Sequence, residues 1–249
     1  MTAPTLRQWL TEAPFTLTLS SGFFGFFAHA GFVSALEEEG LTPARLTGSS
    51  AGALVAALWA SGRDVVDLRE ALFGLKKADF WDPGLGFGLL RGGLFEETLD
   101  TLLGVQSFEN CRWPVAISVF ELARLRTRVV DSGPLNPAIR ASCAFPGLFH
   151  PVRVEDRLAI DGGVLDRSGL AAVPPETRTL YHHLSTRSKV RRHIPRLSGV
   201  PRRAHLCPVI IDGLPRVGPN HLERGPSAFE RAREALLRQL DAPTNGGLD

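Results

Sequence analysis

The sequence has few cysteines, and none of them is spaced as a pair. Cys111, Cys143 and Cys207 are the three in 249 residues, and no two are close in the chain. This spacing argues against a disulfide framework and a zinc site, and it favours a reducing compartment in which the cysteines are small core residues. The chain also lacks a strong charge, because its formal net charge is +2, and it contains no motif of the RNA- or DNA-binding modules. We therefore expect no nucleic-acid partner.

Charged residues are absent from the stretch 13–36. Its Ala-His-Ala at 28–30 imitates a signal-peptidase site after an apolar run. However, Ser-Ser-Gly at 20–22 and Gly25 interrupt the run, and glutamates flank it where a membrane span usually has cationic anchors. We therefore expect a strand, a turn and a helix here, in a cytoplasmic protein with no signal peptide and no transmembrane span. Peripheral contact with a membrane is left open.

Strand-like apolar runs alternate with segments of helical period, without internal repeats or low-complexity tracts. With 44% hydrophobic and 22% charged residues, this chain can bury one substantial core. The alternation predicts an α/β fold with a mostly parallel sheet covered by helices. Strands are predicted at 15–19, 44–47, 113–120, 125–130, 158–160, 179–184 and 206–211, and helices at 26–39, 51–61, 64–77, 96–103, 136–143 and 227–240. We expect one domain over 1–240 and a flexible tail over 241–249.

The first chemical motif is Gly-Ser-Ser-Ala-Gly at 48–52, which matches the GxSxG pattern of a nucleophile elbow. Gly48 and Gly52 permit a tight turn from strand to helix that exposes Ser50 at the helix N-terminus. The same letters also fit an ordinary turn whose serine caps a helix. A strand is predicted before the match and a helix of small residues after it, and this context favours the elbow.

A serine nucleophile needs a base, and the best candidate is Asp161 in Leu-Ala-Ile-Asp-Gly-Gly. The pattern also fits a simple Asp-Gly turn. Ser50 and Asp161 each follow a predicted strand, and in open α/β sheets functional groups gather at the carboxyl ends of strands. The two motifs together therefore predict a shared site.

Four ordered segments resemble the patatin-like phospholipases: a strand followed by a glycine turn, then GSSAGALVAALWASG, ASCAFPGLFHPV and RLAIDGGVLD. The motif-bearing part spans 15–170. The resemblance implies a three-layer α/β/α fold and hydrolysis of lipid acyl esters through an acyl-serine intermediate, with no metal or other cofactor. Carried over by motif, Ser50 is the nucleophile and Asp161 the base that takes its proton. An acyltransferase that uses the same pair, and a lipid-binding pseudoenzyme, are the alternatives.

Two segments depart from the pattern of the family. Its members usually carry a GGGxxG-like turn with Lys or Arg before the last glycine, whereas 21–26 here reads Ser-Gly-Phe-Phe-Gly-Phe. Only Gly22 keeps its place, and the cation is missing. After Asp-Gly-Gly, the usual Asn and Pro are replaced by Arg167 and Gly169.

The altered turn still has backbone N–H groups, so it can form an oxyanion hole. We expect the N–H groups of Gly22 and Phe23 to form it, and the rings of Phe24 and Phe26 to line an acyl pocket. Phe27, on the following helix, is expected in the core. Any positive φ in the turn is expected on a glycine, with the phenylalanines at negative φ.

Histidines provide an alternative mechanism. The order Ser50, Asp161, then His182 or His183 fits a hydrolase triad in which histidine is the base. These two histidines lie in the predicted strand 179–184, which we expect to face solvent on one side.

A basic segment lies at 177–211. Between Glu176 and Asp212 the chain has eight Lys or Arg residues and no Asp or Glu. The charges fit either a solvated loop or peripheral contact with an anionic membrane through 187–203. The substrate expected from the motifs is a lipid or another acyl ester, and the sequence gives no oligomeric state.

Overall fold

Strands and helices alternate along the chain, in a computed structural model that describes residues 3–185 and 199–244. All seven predicted strands and all six predicted helices are present, with ends that differ by at most three residues. The strands are β1 Thr16–Leu19, β2 Arg45–Ser49, β3 Gly88–Leu90, β4 Val115–Glu121, β5 Arg126–Val130, β6 Gly147–Phe149, β7 Val152–Val154, β8 Arg157–Asp161, β9 Thr179–His183 and β10 Leu206–Ile210. The helices are α1 Leu6–Glu12, α2 Phe26–Glu38, α3 Ala51–Ala60, α4 Val65–Gly74, α5 Gly93–Leu102, α6 Leu135–Cys143 and α7 Gly225–Leu240.

The central sheet is parallel in one half and antiparallel in the other. Its order is β10-β9-β1-β2-β4-β8-β7, with β5 also paired to β4. The strands from β10 to β4 run parallel, whereas β8, β7 and β5 pair antiparallel. The α/β prediction is therefore confirmed, and the sheet is mixed rather than uniformly parallel.

Strand β4 carries two strands end to end along one edge. Its residues 115–118 pair with β2 and its residues 119–121 pair with β8, while β5 pairs with 117–121. Since a strand has only two edges, β5 occupies one of them, and β2 and β8 share the other. Because β8 runs antiparallel to β4, the C-terminal ends of β2 and β8 meet at the boundary between Ser118 and Val119.

The uncharged stretch 13–36 is a buried strand, a turn and a buried helix. All four residues of β1 are buried, and so is every residue of α2 from Phe26 to Leu36. The expected strand, turn and helix are therefore confirmed. Among the described residues, no helix combines the length and the apolar character needed to cross a bilayer.

The expectation that strand 179–184 faces solvent on one side is wrong. Every residue of β9 is buried, including His182 and His183. The strand lies between β1 and β10, so both of its edges are hydrogen-bonded, and the side chains on both of its faces are buried. Two polar residues in a short run are typical of an exposed face, but here His182 contacts His29 and His183 contacts the Tyr181 hydroxyl inside the core.

Four elements were not predicted from the sequence. Strands β3, β6 and β7 are each three residues long, too short to show a period. Helix α1 has seven residues, and a capping box in which Thr5 and Gln8 exchange hydrogen bonds stabilises its N-terminus.

The C-terminal residues 241–244 are not a loose tail. Leu6 donates a backbone hydrogen bond to Ala242, and Thr244 donates one to Pro4. Asp241 also forms an ion pair with Arg7. The predicted tail is therefore wrong for 241–244, because this segment pairs with the N-terminal segment, and 245–249 lie outside the described residues.

Candidate active site

The GxSxG motif forms a strained turn between β2 and α3. Ser50 has a φ of +53° and a ψ of −122°, a region that L-residues rarely adopt. A Cβ on Gly48 would lie 2.5 Å from the Gly52 carbonyl carbon, and one on Gly52 would overlap the Leu19 carbonyl. The glycines are thus required by close approach of backbones, and the strain falls on Ser50.

Asp161, the last residue of β8, lies against Ser50. The Ser50 Oγ–H donates to Asp161 Oδ2 at 2.7 Å, and the Gly163 N–H donates to Asp161 Oδ1 at 2.7 Å. Gly162 lies where a Cβ would overlap the Ser118 carbonyl of β4. One carboxylate oxygen is therefore fixed by the turn, and the other is directed at the serine.

The end-to-end arrangement of β2 and β8 brings these two residues together. Ser50 follows the last residue of β2, Asp161 ends β8, and both strand ends meet on the same edge of β4. Both residues were predicted at carboxyl ends of strands, and this prediction is correct. However, β8 runs against the parallel half of the sheet, so the contact depends on register rather than on a shared strand direction.

Ser142 supports the elbow, and the sequence did not single it out. Its Oγ accepts a hydrogen bond from the Ser50 N–H at 2.8 Å and donates to the Ser118 carbonyl at 2.8 Å. The next residue, Cys143, directs its thiol at the Ser50 carbonyl at 3.4 Å. Two residues at the end of helix α6 therefore contact the Ser50 backbone, and the Ser50 N–H is already hydrogen-bonded to Ser142.

Burial raises the pKa of the Cys143 thiol well above its usual value, and the nearby Asp161 carboxylate raises the pKa further. The thiol therefore stays protonated at neutral pH, a form that is a poor nucleophile. Among residues 3–185 and 199–244, no cluster of three His, Cys, Asp or Glu side chains could hold a metal ion.

In the aromatic turn at 21–26, the positive φ lies on Phe24, at +54°, and the expectation that a glycine would carry it is wrong. Gly22 and Gly25 provide space instead. A Cβ on Gly22 would lie 2.7 Å from Leu184 Cδ1, and one on Gly25 would overlap the same methyl group. The Phe24 ring packs against other phenylalanine rings, with centroids 4.8 Å away for Phe23 and 5.7 Å for Phe80, and this contact compensates the strain.

Two backbone N–H groups of this turn remain candidates for an oxyanion hole. Within the described part of the chain, the N–H groups of Gly22 and Phe23 donate no hydrogen bond, whereas the Gly25 N–H donates to the Gly22 carbonyl. Gly22 and Phe23 line the same cavity as Ser50.

That cavity has a volume of about 940 Å³ and combines a polar end with apolar walls. Ser50, Asp161 and Arg167 contribute to its polar part. Its apolar walls come from α3, α4, α5 and the aromatic turn, and they include the rings of Phe23, Phe24 and Phe26. Phe27 does not line the cavity and is buried, as expected for a core residue.

Arg167, which stands where the family usually has Asn, donates to the Leu184 carbonyl at 3.1 Å, and its own carbonyl accepts from the Ser21 N–H at 2.8 Å. The arginine therefore connects the segment after Asp161 to the aromatic turn.

The histidines of the alternative triad are engaged in the core. His182 Nδ1 lies 2.9 Å from His29 Nδ1, and its ring stacks on Phe32. His183 Nδ1 lies 2.9 Å from the Tyr181 hydroxyl. Burial lowers the pKa of His29 and of His183 to about 4, and it lowers that of His182 well below its usual value.

The basic segment contributes internal contacts where it is described. Arg178 donates to the Trp9 carbonyl and forms an ion pair with Glu12 at 3.1 Å. Arg203 donates to the Val173 carbonyl at 2.9 Å. Residues 187–198 of the expected membrane contact lie outside the described residues.

Comparison with known proteins places this chain in a family. The family model described as "Patatin-like phospholipase" matches residues 17–173, well over half of the chain. An uncharacterised NTE family protein of Mycobacterium bovis is 32% identical over 160 residues, which are 63% of this chain and 44% of that protein. A lysophospholipase of Emericella nidulans is 27% identical over 162 residues, which are 62% of this chain and 11% of that protein. The chain thus spans less than half the length of these curated relatives.

The structure of VipD from Legionella pneumophila has the same fold, with a TM-score of 0.68 at 15% identity. The match covers 98% of this chain and 68% of that one. The four motifs, the mixed sheet flanked by helices and the family match all agree, and the chain belongs to the patatin-like phospholipase family.

Proposed function

We propose that this protein is a serine lipid acyl hydrolase, in which Ser50 and Asp161 form a catalytic dyad. The observation that carries the proposal is the 2.7 Å hydrogen bond from Ser50 Oγ to Asp161 Oδ2 beside an apolar cavity of about 940 Å³. A strained elbow beside a cavity with apolar walls is typical of a site that receives a fatty acyl ester.

In the first step, Asp161 takes the Ser50 proton as Ser50 Oγ attacks the carbonyl carbon of the ester. The carbonyl oxygen becomes an oxyanion, which the N–H groups of Gly22 and Phe23 stabilise. Collapse of this intermediate breaks the ester C–O bond, the leaving alcohol takes the proton from Asp161, and the acyl group stays on Ser50. Water then repeats the sequence, with Asp161 again as base, and releases the fatty acid.

Labelling with a fluorophosphonate tests the nucleophile directly. The wild type should be labelled and should hydrolyse a short-chain nitrophenyl ester, whereas Ser50→Ala should do neither. Asp161→Asn should lower turnover by about a thousandfold or more, because removing one member of a catalytic unit removes most of the activity of the whole unit. The folded state of each variant is checked by circular dichroism.

Ser49→Ala is the matched control. Ser49 is adjacent and buried, and its Oγ has no hydrogen-bond partner among the described residues, so its removal should leave labelling and turnover near the wild-type values. If Ser50→Ala retained more than about a tenth of the wild-type rate, the assigned role would be wrong. A wild type that is neither labelled nor active would point to a lipid-binding pseudoenzyme instead.

A further inference from the structure

A short hairpin between α4 and α5 exposes two large apolar side chains at its tip. Pro83 and Leu90 form an antiparallel bridge, and the Gly84 N–H donates to the Leu89 carbonyl at 3.0 Å. The tip therefore consists of residues 85–88. Leu85 is 100% exposed and Phe87 is 90% exposed, the two highest values among the exposed large apolar residues of the described chain.

The composition of this hairpin is unusual for a loop tip. Exposed tips generally carry small or polar residues, but 83–90 reads Pro-Gly-Leu-Gly-Phe-Gly-Leu-Leu and contains no charge. The neighbouring carboxylate of Asp82 is directed away from the tip, since it accepts from the N–H groups of Gly92 and Gly93 at the start of α5. A polar side chain does reach the tip, because His150 Nε2 lies 3.1 Å from the Gly88 carbonyl, but it contacts the backbone there. Leu85 and Phe87 remain exposed, which marks a contact surface.

The hairpin pairs through backbone hydrogen bonds with the segment 145–149, which we call the cavity rim. Its strand β3 pairs with β6, with Gly88 opposite Gly147 and Leu90 opposite Phe149. Phe149 lines the cavity, and so does Phe145, two residues before β6.

The rim itself is partly exposed and apolar. The Phe145 ring lies 5.8 Å from the Phe23 ring, and these two side chains are 39% and 57% exposed. The apolar rim and the apolar tip are therefore joined by one small sheet.

We propose that residues 85–88 insert into the surface of a lipid aggregate and hold the cavity rim against it. A stable protein partner would need a surface of about 1,000 Å² or more, whereas this tip presents two side chains on a narrow turn. Such side chains reach the boundary between head groups and acyl chains, about 5 to 10 Å deep, and bury their apolar area there. The inference adds to the proposed function, but its readout is lipid binding rather than catalysis.

Flotation with phosphatidylcholine vesicles tests the insertion. The wild type should bind at physiological salt and also in high salt, because apolar insertion is not screened. Leu85→Asn with Phe87→Asn should lower the partition coefficient about tenfold or more. The matched control is Leu125→Asn, which removes a leucine that is 71% exposed on the turn after β4 and does not line the cavity. This control should bind like the wild type.

The inference would be overturned if the wild type did not bind these vesicles or if the double variant bound them like the wild type. Binding that needs anionic lipid and disappears in high salt would also overturn it. Sedimentation provides a further check, because a wild-type dimer that the double variant dissociates would mean that the tip contacts a second copy. Labelling by a small, soluble fluorophosphonate should be equal in all variants. A wild type that binds the vesicles but is not labelled would contradict the proposed function and leave the insertion of the tip supported.

Discussion

The Gly-Ser-Ser-Ala-Gly elbow at 48–52 and the aromatic turn at 21–26 both use glycine to allow close packing, but against different neighbours. In each turn the positive φ falls on another residue, at +53° for Ser50 and +54° for Phe24. The glycines provide space in both. Around Gly52 the space is limited by the backbone of β1, whereas around Gly22 it is limited by the tip of the Leu184 side chain.

This difference separates a fixed part of the site from an adjustable part. Backbone within a buried parallel sheet cannot retreat without breaking the hydrogen bonds between strands, but a leucine methyl group can rotate away. The elbow that positions Ser50 should therefore resist substitution, while the aromatic turn, which lines the cavity, should tolerate it.

The largest effect is expected from alanine at Gly52. Its Cβ would overlap the Leu19 carbonyl, so Gly52→Ala should lower the free energy of unfolding by about 3 kcal/mol or more. Gly22→Ala should cost less than about 1 kcal/mol, since Leu184 Cδ1 can move. Urea unfolding followed by tryptophan fluorescence measures both.

A double variant tests whether Leu184 causes the cost of the alanine at 22. Adding Leu184→Ala to Gly22→Ala should remove the effect of the alanine at 22, because the obstructing methyl group is gone. The same leucine variant should not rescue Gly52→Ala. Equal costs for the two glycine substitutions would contradict the proposed difference between the turns.

Ser142→Ala should have the next largest effect, and it should act on the rate. Without its Oγ, the Ser50 N–H loses its acceptor, so kcat should fall about 10- to 100-fold with little change in KM. Ser142→Thr should restore much of the rate because it keeps the hydroxyl. Cys143→Ala, at the adjacent thiol, is the control and should stay within about threefold of the wild type. An unchanged kcat in Ser142→Ala would mean that Ser142 only packs.

Alanine at Phe24 should change chain-length preference. Loss of a ring that lines the cavity should weaken the use of long acyl esters relative to acetyl esters about tenfold, as expected for one lost apolar contact. Phe24→Gly should show the same preference but unfold at higher urea than Phe24→Ala, because glycine adopts a φ of +54° without strain. Equal stability of these two variants would argue against strain at this position.

The smallest effect near neutral pH should come from the buried histidines, which lie beside the start of the aromatic turn. His29 Nε2 lies 2.7 Å from the Ser20 carbonyl. Burial lowers the pKa of His29 and His183 to about 4, whereas unfolded histidine has a pKa of about 6.5, so the unfolded state binds more protons between these values. The contribution of the neutral histidines to the free energy of unfolding should be fully present above pH 6.5. It should fall on acidification by up to about 1.4 kcal/mol per pH unit for each histidine.

Unfolding in urea at several pH values checks this slope. His182→Asn should make the slope shallower and lower the stability, but it should leave the turnover of the folded protein near the wild-type value. A loss of turnover in His182→Asn with normal stability would favour the triad mechanism instead of the dyad.

The local structure around the motifs was predictable because short-range physics determines it. The helix predicted at 51–61 is observed as Ala51–Ala60, since apolar residues continue without interruption over 53–60 and Ser61 and Gly62 follow them. The direction of β8 was not predictable, because a run such as Arg157–Asp161 reads as a strand whichever partner it finds.

The candidate site shows the same division. Ser50 and Asp161 stand out in sequence because their flanking glycines form recognisable turns. Ser142 does not, since a serine inside a short helix looks like any other until α6 is packed behind the elbow. Phe24 was assigned a negative φ because intrinsic preference favours glycine at positive φ, and the ring contacts that override this preference are tertiary.

The end-to-end meeting of β2 and β8 also determines when the site can form as the chain folds. Ser50 and Asp161 are separated by 111 positions, and the register of both strands on β4 must be complete before their side chains touch. Loop closure over such a distance is entropically costly and slow. The contact between Ser50 and Asp161 therefore depends on long-range topology, and, with the proposed dyad, activity should return after denaturation later than helical structure does.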